Sequence, residues 1–173
     1  ITLTKSQPQG FKTNLEMSTN SSGLMGISPQ VNFYHKNIFG GGEWLNVGFV
    51  GNFQFKPDEN IASNELGTSL SLSLPRFLGL NYKLFRGPVI SRTEINASFN
   101  YQNRPEYTRN VFSTSYGYSG TIKGRFYYQV YPFRVNYVRL FNLNEEFLKR
   151  LEKNPFMRYS YQDHCDMGIG GSI

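Results

Sequence analysis

The chain has 173 residues, a length suited to one domain, and lacks the run of about 18 apolar residues that a transmembrane helix needs. Charged residues make up 17% while aromatics reach 16%, with 12 Tyr, 15 Phe and 17 Gly, which excludes a disordered tail and a helical bundle. The net charge of +6 is scattered over positions such as Lys12, Lys36, Lys56, Arg76 and Arg109, so no nucleic-acid surface is expected, and the single Cys165 excludes an internal disulfide.

Ile1–Thr4 alternates as a short strand, and Lys5–Gly10 reads as a linker through Pro8 and Gly10. Phe11, Thr13, Leu15 and Met17 then take one side of a strand and Lys12, Asn14, Glu16 and Ser18 the other, before the turn cluster TNSSG at Thr19–Gly23. Met25, Ile27, Val31 and Phe33 oppose Gly26, Ser28, Gln30 and Asn32, with Pro29 marking a bulge or an edge position. The loop KNIFGGGE leads into Leu45, Val47, Phe49, Gly51, Phe53 and Phe55, interleaved with Asn46, Gly48, Val50, Asn52 and Gln54. Lys56–Glu65 reads as a long polar loop, after which Leu70, Leu72 and Leu74 alternate with Ser69, Ser71 and Ser73 up to Pro75.

Ile95, Ala97, Phe99 and Tyr101 alternate with Glu94, Asn96, Ser98, Asn100 and Gln102, and Phe112, Thr114, Tyr116 and Tyr118 follow the Arg104-Pro105 turn. Gly124–Phe141 alternates on both sides of Pro132. NEEFLKRLEK, Asn144–Lys153, predicts the one helix, with Asn144 as its cap, and a strand pattern resumes at Met157, Tyr159 and Tyr161. About eight spanning segments result, mostly near the 9–11 residues that a tilted strand needs to cross a bilayer. The closing GIGGSI stops in what reads as a further alternating segment, and the start lacks Met, so a fragment of a longer mature protein is expected.

Alternation by itself leaves open which face is inside. A soluble sandwich or lipocalin-like barrel would turn Leu70, Leu72 and Leu74 inward, whereas a transmembrane barrel turns them to lipid and the small polar residues to a wet lumen. The polar stripe is Ser, Asn, Gln and Gly with few Lys or Glu, and aromatics such as Phe33, Tyr34, Tyr101, Tyr107, Tyr116, Tyr118, Tyr159 and Tyr161 sit toward strand ends, where interfacial girdles belong. The expectation is an all-β transmembrane antiparallel up-and-down barrel with Leu45, Val47, Phe49, Leu70, Leu72, Leu74, Ile95, Ala97 and Phe99 facing lipid.

The stretches TNSSG, HKNIFGGGE, SLPRFL with the following RGP, and above all YQNRPEYTRNVFSTSYGY, resemble the first half of the barrel in BamA/TamA-type outer-membrane assembly proteins, in the TamA-like lipoprotein (TamL) form of Bacteroidota. The resemblance covers nearly the whole chain. It implies that residues 1–10 hold the end of the last periplasmic POTRA domain and a linker, and that residues 11–173 form the N-terminal half of a sixteen-stranded barrel in the bacterial outer membrane. It further implies insertion of β-barrel proteins without ATP, the first strand acting as a lateral gate. Lys12, Thr13, Asn14, Leu15, Glu16, Met17 and Ser18 would then be the edge on which an incoming strand pairs by β-augmentation. The partners implied are outer-membrane lipids, nascent outer-membrane proteins, and periplasmic or lipoprotein subunits. The family's Arg-Gly-Phe loop tip, which lies late in the barrel, is missing from this chain.

No enzymatic constellation, metal or cofactor is expected. His164 lies in YQDHCD beside Asp163, Cys165 and Asp166, but neighbours on a strand point to opposite faces and do not converge on one ion, and His35 has no ligand at suitable spacing. Glu94 with Arg92, Arg104 and Arg109 is expected to form ion pairs between strands, and Gly40–Gly42 a flexible turn. The rival readings are a passive outer-membrane pore or transporter barrel and a soluble ligand-binding barrel.

Overall fold

The alternating segments fold as strands: β1 (Gln9–Thr19), β2 (Met25–Lys36), β3 (Trp44–Lys56), β4 (Ile61–Leu74), β5 (Val89–Asn103), β6 (Thr108–Ile122), β7 (Phe126–Phe141) and β8 (His164–Ser172). The computed structural model describes residues 7–19, 25–56, 61–79, 89–122, 125–144, 147–148, 154 and 161–172. All eight strands lie in one antiparallel sheet in the order β1 to β8, so each pairs with its sequence neighbours. This up-and-down order leaves β1 and β8 as edges, and they are not joined to each other.

Residues directly opposite in an antiparallel ladder share a face. The registers therefore trace one row across the whole sheet: Phe11, Phe33, Val47, Leu70, Ala97, Thr114, Val135 and Met167. The adjacent row on the other face reads Lys12, Asn32, Gly48, Ser69, Ser98, Ser113, Asn136 and Asp166. One register thus keeps most apolar side chains on one face and most polar ones on the other, and a one-residue slip would mix them.

Two prolines act on the ladder in different ways. Pro29 sits in β2 between β1 and β3, where pairing passes from Ile27↔Phe53 to Gln30↔Val50; the ladder is interrupted, but β2 is no edge and its register does not shift. Pro132, in β7, lies where both ladders slip, between Tyr116 and Tyr118 on one side and between Tyr131 and Arg134 on the other. A residue without an N–H is accommodated at such a bulge. The slip lays Tyr131 beside Gly117, where an added Cβ would meet Val130 O at 2.7 Å, so only glycine fits.

The expected long loop over Lys56–Glu65 is much shorter, because β4 begins at Ile61. Asn64 and Glu65 are polar yet lie in register with Phe53 and Asn52 on one side and with Asn103 and Gln102 on the other. Their pairing on two sides overrides their weak strand propensity. β1 likewise begins at Gln9, inside the stretch read as a linker. The strand expected at Ile1–Thr4 and the positions Met157 and Tyr159 lie outside the described residues, while Tyr161, expected in the same strand as these last two, lies in a turn and the final strand begins only at His164. Most of the helix expected over Asn144–Lys153 also lies outside the described residues; within it Phe147 and Leu148 are helical, and Leu148 N–H donates to Asn144 O at 2.9 Å.

Large side chains are nearly absent from the buried class. Tyr107 and Phe147 form a small cluster with Leu140, Leu143 and Tyr161 at the turn between β5 and β6. Tyr161 meets Phe147 edge-on at 5.1 Å and Tyr107 at 5.4 Å. At the opposite end the Arg76–Leu78 segment returns over the apolar face. Thr93 Oγ1 donates to Arg76 O at 2.6 Å and accepts from Leu78 N–H at 3.0 Å, while the Tyr116 and Tyr118 hydroxyls both donate to Leu78 O.

Candidate membrane face and pairing edge

Away from the Arg76–Leu78 segment, the apolar face is uncovered among the described residues. Phe49 is 57% exposed, Phe99 40% and Leu70 44%, and no second layer of described residues packs on them. In water a sheet of this breadth would bury such a stripe against another element, since soluble proteins rarely leave contiguous apolar patches beyond a few hundred Å². Leu45, Val47, Leu70, Leu72, Ile95, Ala97 and Phe99 occupy this one face together. Phe49 joins them opposite Thr68. Leu74 shares the face but is only 5% exposed, because it lies opposite Thr93, where the returning segment closes over the sheet.

The polar face is knitted by side chains. Ser71 Oγ donates to Asn96 Oδ1 at 2.7 Å, Asn96 Nδ2 reaches Ser115 Oγ at 3.3 Å, and Ser113 Oγ donates to Asn136 Oδ1 at 2.7 Å. Glu94 is the centre of the strongest cluster, accepting from Ser119 Oγ, from Tyr131 O–H at 2.7 Å and from Gln129 Nε2 at 3.4 Å. The ion pairs expected of Glu94 do not form among the described residues. Arg109 spends both of its bonds on Gln102 Oε1, at 3.1 and 2.7 Å, and Arg104 lies over the Tyr107 ring. Register keeps Arg109 away, since Glu94 lies opposite Gly117 and Arg109 opposite Gln102, toward the other end of the β5–β6 ladder; Arg92, opposite Ser119 on the same face as Glu94, makes no ion pair among the described residues.

β1 carries all seven residues expected of a pairing edge, Lys12, Thr13, Asn14, Leu15, Glu16, Met17 and Ser18, and each is exposed. The strand pairs with β2 alone among the described residues, so half of its backbone donors and acceptors lack a partner strand. Its side chains add little to hold it. Asn14 Nδ2 donates to Glu16 Oε1 within β1 at 2.9 Å, and the Phe11 and Phe33 rings meet at 5.0 Å.

The β2–β3 turn is built tightly. Asn37, Gly40 and Gly42 all have positive φ, at 70°, 88° and 85°. Glu43 Oε2 accepts from the amides of Phe39 at 3.2 Å and Gly41 at 3.0 Å, and Asn37 Oδ1 accepts from Gly42 N–H at 2.7 Å. The Glu43 carboxyl is held below its ordinary range, first by its own amide, with those of Gly41 and Phe39 adding to the effect against the opposing pull of desolvation. The GGG stretch is therefore an ordered turn. On β8, His164 Nε2 lies 3.7 Å from Asp166 Oδ2 on the polar side, and Cys165 lies opposite Tyr137 on the other face.

The alternation gives most of the strands and both stripes, but the last strand is His164–Ser172, beyond Tyr161, and two further features are not legible in it. Nothing in the alternation pairs Glu94 with Ser119, Gln129 and Tyr131 instead of with arginines, and nothing in it foretells the return of Arg76–Leu78. Trp44 stands between a loop and the Leu45 series, and its parity with Asn46 and Gly48 assigns it to the polar side. In comparisons with family models, curated proteins and solved structures, nothing matches this chain.

Proposed function

We propose that this sheet forms part of the wall of a β-barrel in a bacterial outer membrane, within a factor that inserts other β-barrel proteins, and that β1 is the edge on which an incoming strand pairs. The observation that carries the membrane part is the row from Phe11 to Met167, apolar at every position but Thr114, backed by a polar row from Lys12 to Asp166. Strands of 11 to 16 residues from β1 to β7 are long enough to cross a hydrocarbon layer at a tilt. No helix among the described residues is long and apolar enough to cross a membrane, and strands have no need of one.

The insertion role is supported by the resemblance of YQNRPEYTRNVFSTSYGY and its companions to BamA/TamA-type proteins, and by the character of β1. An unpaired backbone N–H or C=O in hydrocarbon costs several kcal/mol, so an edge that can be uncovered is a strong template for a strand that has nowhere else to pair. An edge held by few side-chain bonds is uncovered cheaply. The reaction is an exchange of hydrogen bonds, with no covalent step.

The test is to tether β1 to the final barrel strand by a designed disulfide in the full-length protein. Loss of assembly that returns on reduction, with the barrel folded throughout, is the expected result. Unchanged assembly by the locked protein overturns the pairing role and favours a passive pore. For the membrane part, the chain should need detergent or lipid to fold, with β-rich circular dichroism and heat-modifiable gel mobility; a monodisperse soluble monomer would turn the sheet inside out.

A further inference from the structure

The polar face divides into two unlike halves. Across β4 to β7 its side chains satisfy one another through the Ser71–Asn96–Ser115 chain, the Ser113–Asn136 pair and the Glu94 cluster. Toward the β2–β3 turn, no hydrogen bond joins the Asn32, Asn46 or Ser73 side chain to another described residue, and Lys12 makes no ion pair among them. These residues line a groove of about 530 Å³ together with Tyr34, Trp44 and Ser71, the last of them shared with the bonded half. Its size falls within the range of about 300–1,000 Å³ usual for small-ligand sites.

Register explains why they meet. Lys12 lies opposite Asn32, Tyr34 opposite Asn46, and Trp44 between Lys36 and Ser73. The Lys36 ammonium sits 5.8 Å from the Tyr34 ring centroid and 5.3 Å from that of Trp44, holding the two rings beside the groove. Trp44 is the only tryptophan of the chain, and it is 44% exposed. A tryptophan anchoring a membrane interface would stand on the apolar side; this one stands among amides and hydroxyls.

An aromatic ring presents a negative face to polarised C–H bonds, and unengaged amides and hydroxyls offer both donors and acceptors. That combination suits a sugar ring, whose C–H face stacks while its rim of hydroxyls hydrogen-bonds. We propose that the groove binds an acidic saccharide, its ring stacked on Trp44, its hydroxyls taken by Asn32, Asn46 and Ser73, and its acidic group turned toward Lys12. The site lies on the polar face and asks nothing of the apolar one, so it stands independently of the membrane reading. The same chemistry is offered by a free acidic oligosaccharide and by an acidic sugar headgroup on a lipid.

Because Trp44 is alone, its fluorescence reports on the groove directly. The folded chain in detergent is titrated with hexagalacturonate, with neutral maltohexaose, and with glucuronosyl diacylglycerol in the same micelles. A saturable change with hexagalacturonate or the glycolipid is expected, weaker with maltohexaose, and the arm that responds identifies the source. By calorimetry, Trp44→Ala and Asn46→Ala should abolish binding of whichever acidic probe responds, while Trp44→Phe, which keeps an aromatic face, retains it. Lys12→Gln should weaken the acidic probe about tenfold and leave maltohexaose unchanged. Circular dichroism and gel mobility establish that each variant is folded. No saturable response to either acidic probe, or binding that survives in folded Trp44→Ala, overturns the site.

Discussion

The β5–β6 pair at the middle of the sheet and the β1–β2 pair at its edge are built from the same alternation, yet they are held in opposite ways. β5 and β6 run 15 residues each and are cross-linked by side chains as well as backbone: Asn96 reaches Ser115 at 3.3 Å, Thr114 Oγ1 donates to Asn96 O at 3.1 Å, and Thr108 bonds Asn103 at 3.2 Å. Ser119 is 2% exposed and Thr93 is fully enclosed. β1 is shorter, at 11 residues, has a ladder on one side only among the described residues, and leaves Met17 76% exposed. Local stability in a sheet follows the partners a strand holds on its two sides, so β1 opens at less cost than β5 or β6.

Four measurements break or sharpen this contrast, beginning with the largest effect. In a bilayer, Ile95→Arg near the middle of β5 should destabilise the folded state by about 2–4 kcal/mol, while Met17→Arg near the end of β1 should cost about 0–1, both read from denaturant titrations in lipid. Equal costs at the two sites would remove the depth difference on which the membrane reading depends. Thr93→Val strips the hydroxyl from Arg76 O and Leu78 N–H, and should cost about 1–3 kcal/mol with loss of hydrogen-exchange protection at the Leu78 amide. Retained protection there would mean that Tyr116 and Tyr118 alone hold the returning segment.

A smaller difference separates two asparagines. Asn96→Ala removes a link across β4, β5 and β6 and should cost about 1 kcal/mol, whereas Asn14→Ala on β1 should stay within about 0.5, and amides of β1 should exchange ahead of those of β5 and β6. The smallest effect concerns pH. The folded Glu43 carboxyl titrates below its unfolded value, so it stabilises the turn above the unfolded pKa, and that contribution fades as pH falls through the folded one. On acidification through that window the Phe39 and Gly41 amides should lose exchange protection while those of β5 and β6 keep theirs. Simultaneous loss in both places would point to global unfolding.

Much of the fold was legible because a strand's period is exposed in its letters: Leu70, Leu72 and Leu74 against Ser69, Ser71 and Ser73 specify both a strand and its two faces. The same letters misled at Asn64 and Glu65, whose polarity reads as loop until their partners on two strands are known. Pro29 and Pro132 look alike in sequence, yet one only interrupts a ladder and the other sits at two register shifts. Which of these a proline does depends on the neighbouring strands.

By itself, then, the sequence determined that the chain is all β, where most strands lie, and that every strand has one apolar and one polar face, because side-chain period and composition are local properties. Only the tertiary structure decided that these faces line up over eight strands, that Glu94 bonds to Ser119, Gln129 and Tyr131 instead of to arginine, and that Tyr34 and Trp44 border one groove with Asn32, Asn46 and Ser73. Those facts depend on which residues of distant segments stand opposite one another, and register is fixed by pairing between strands.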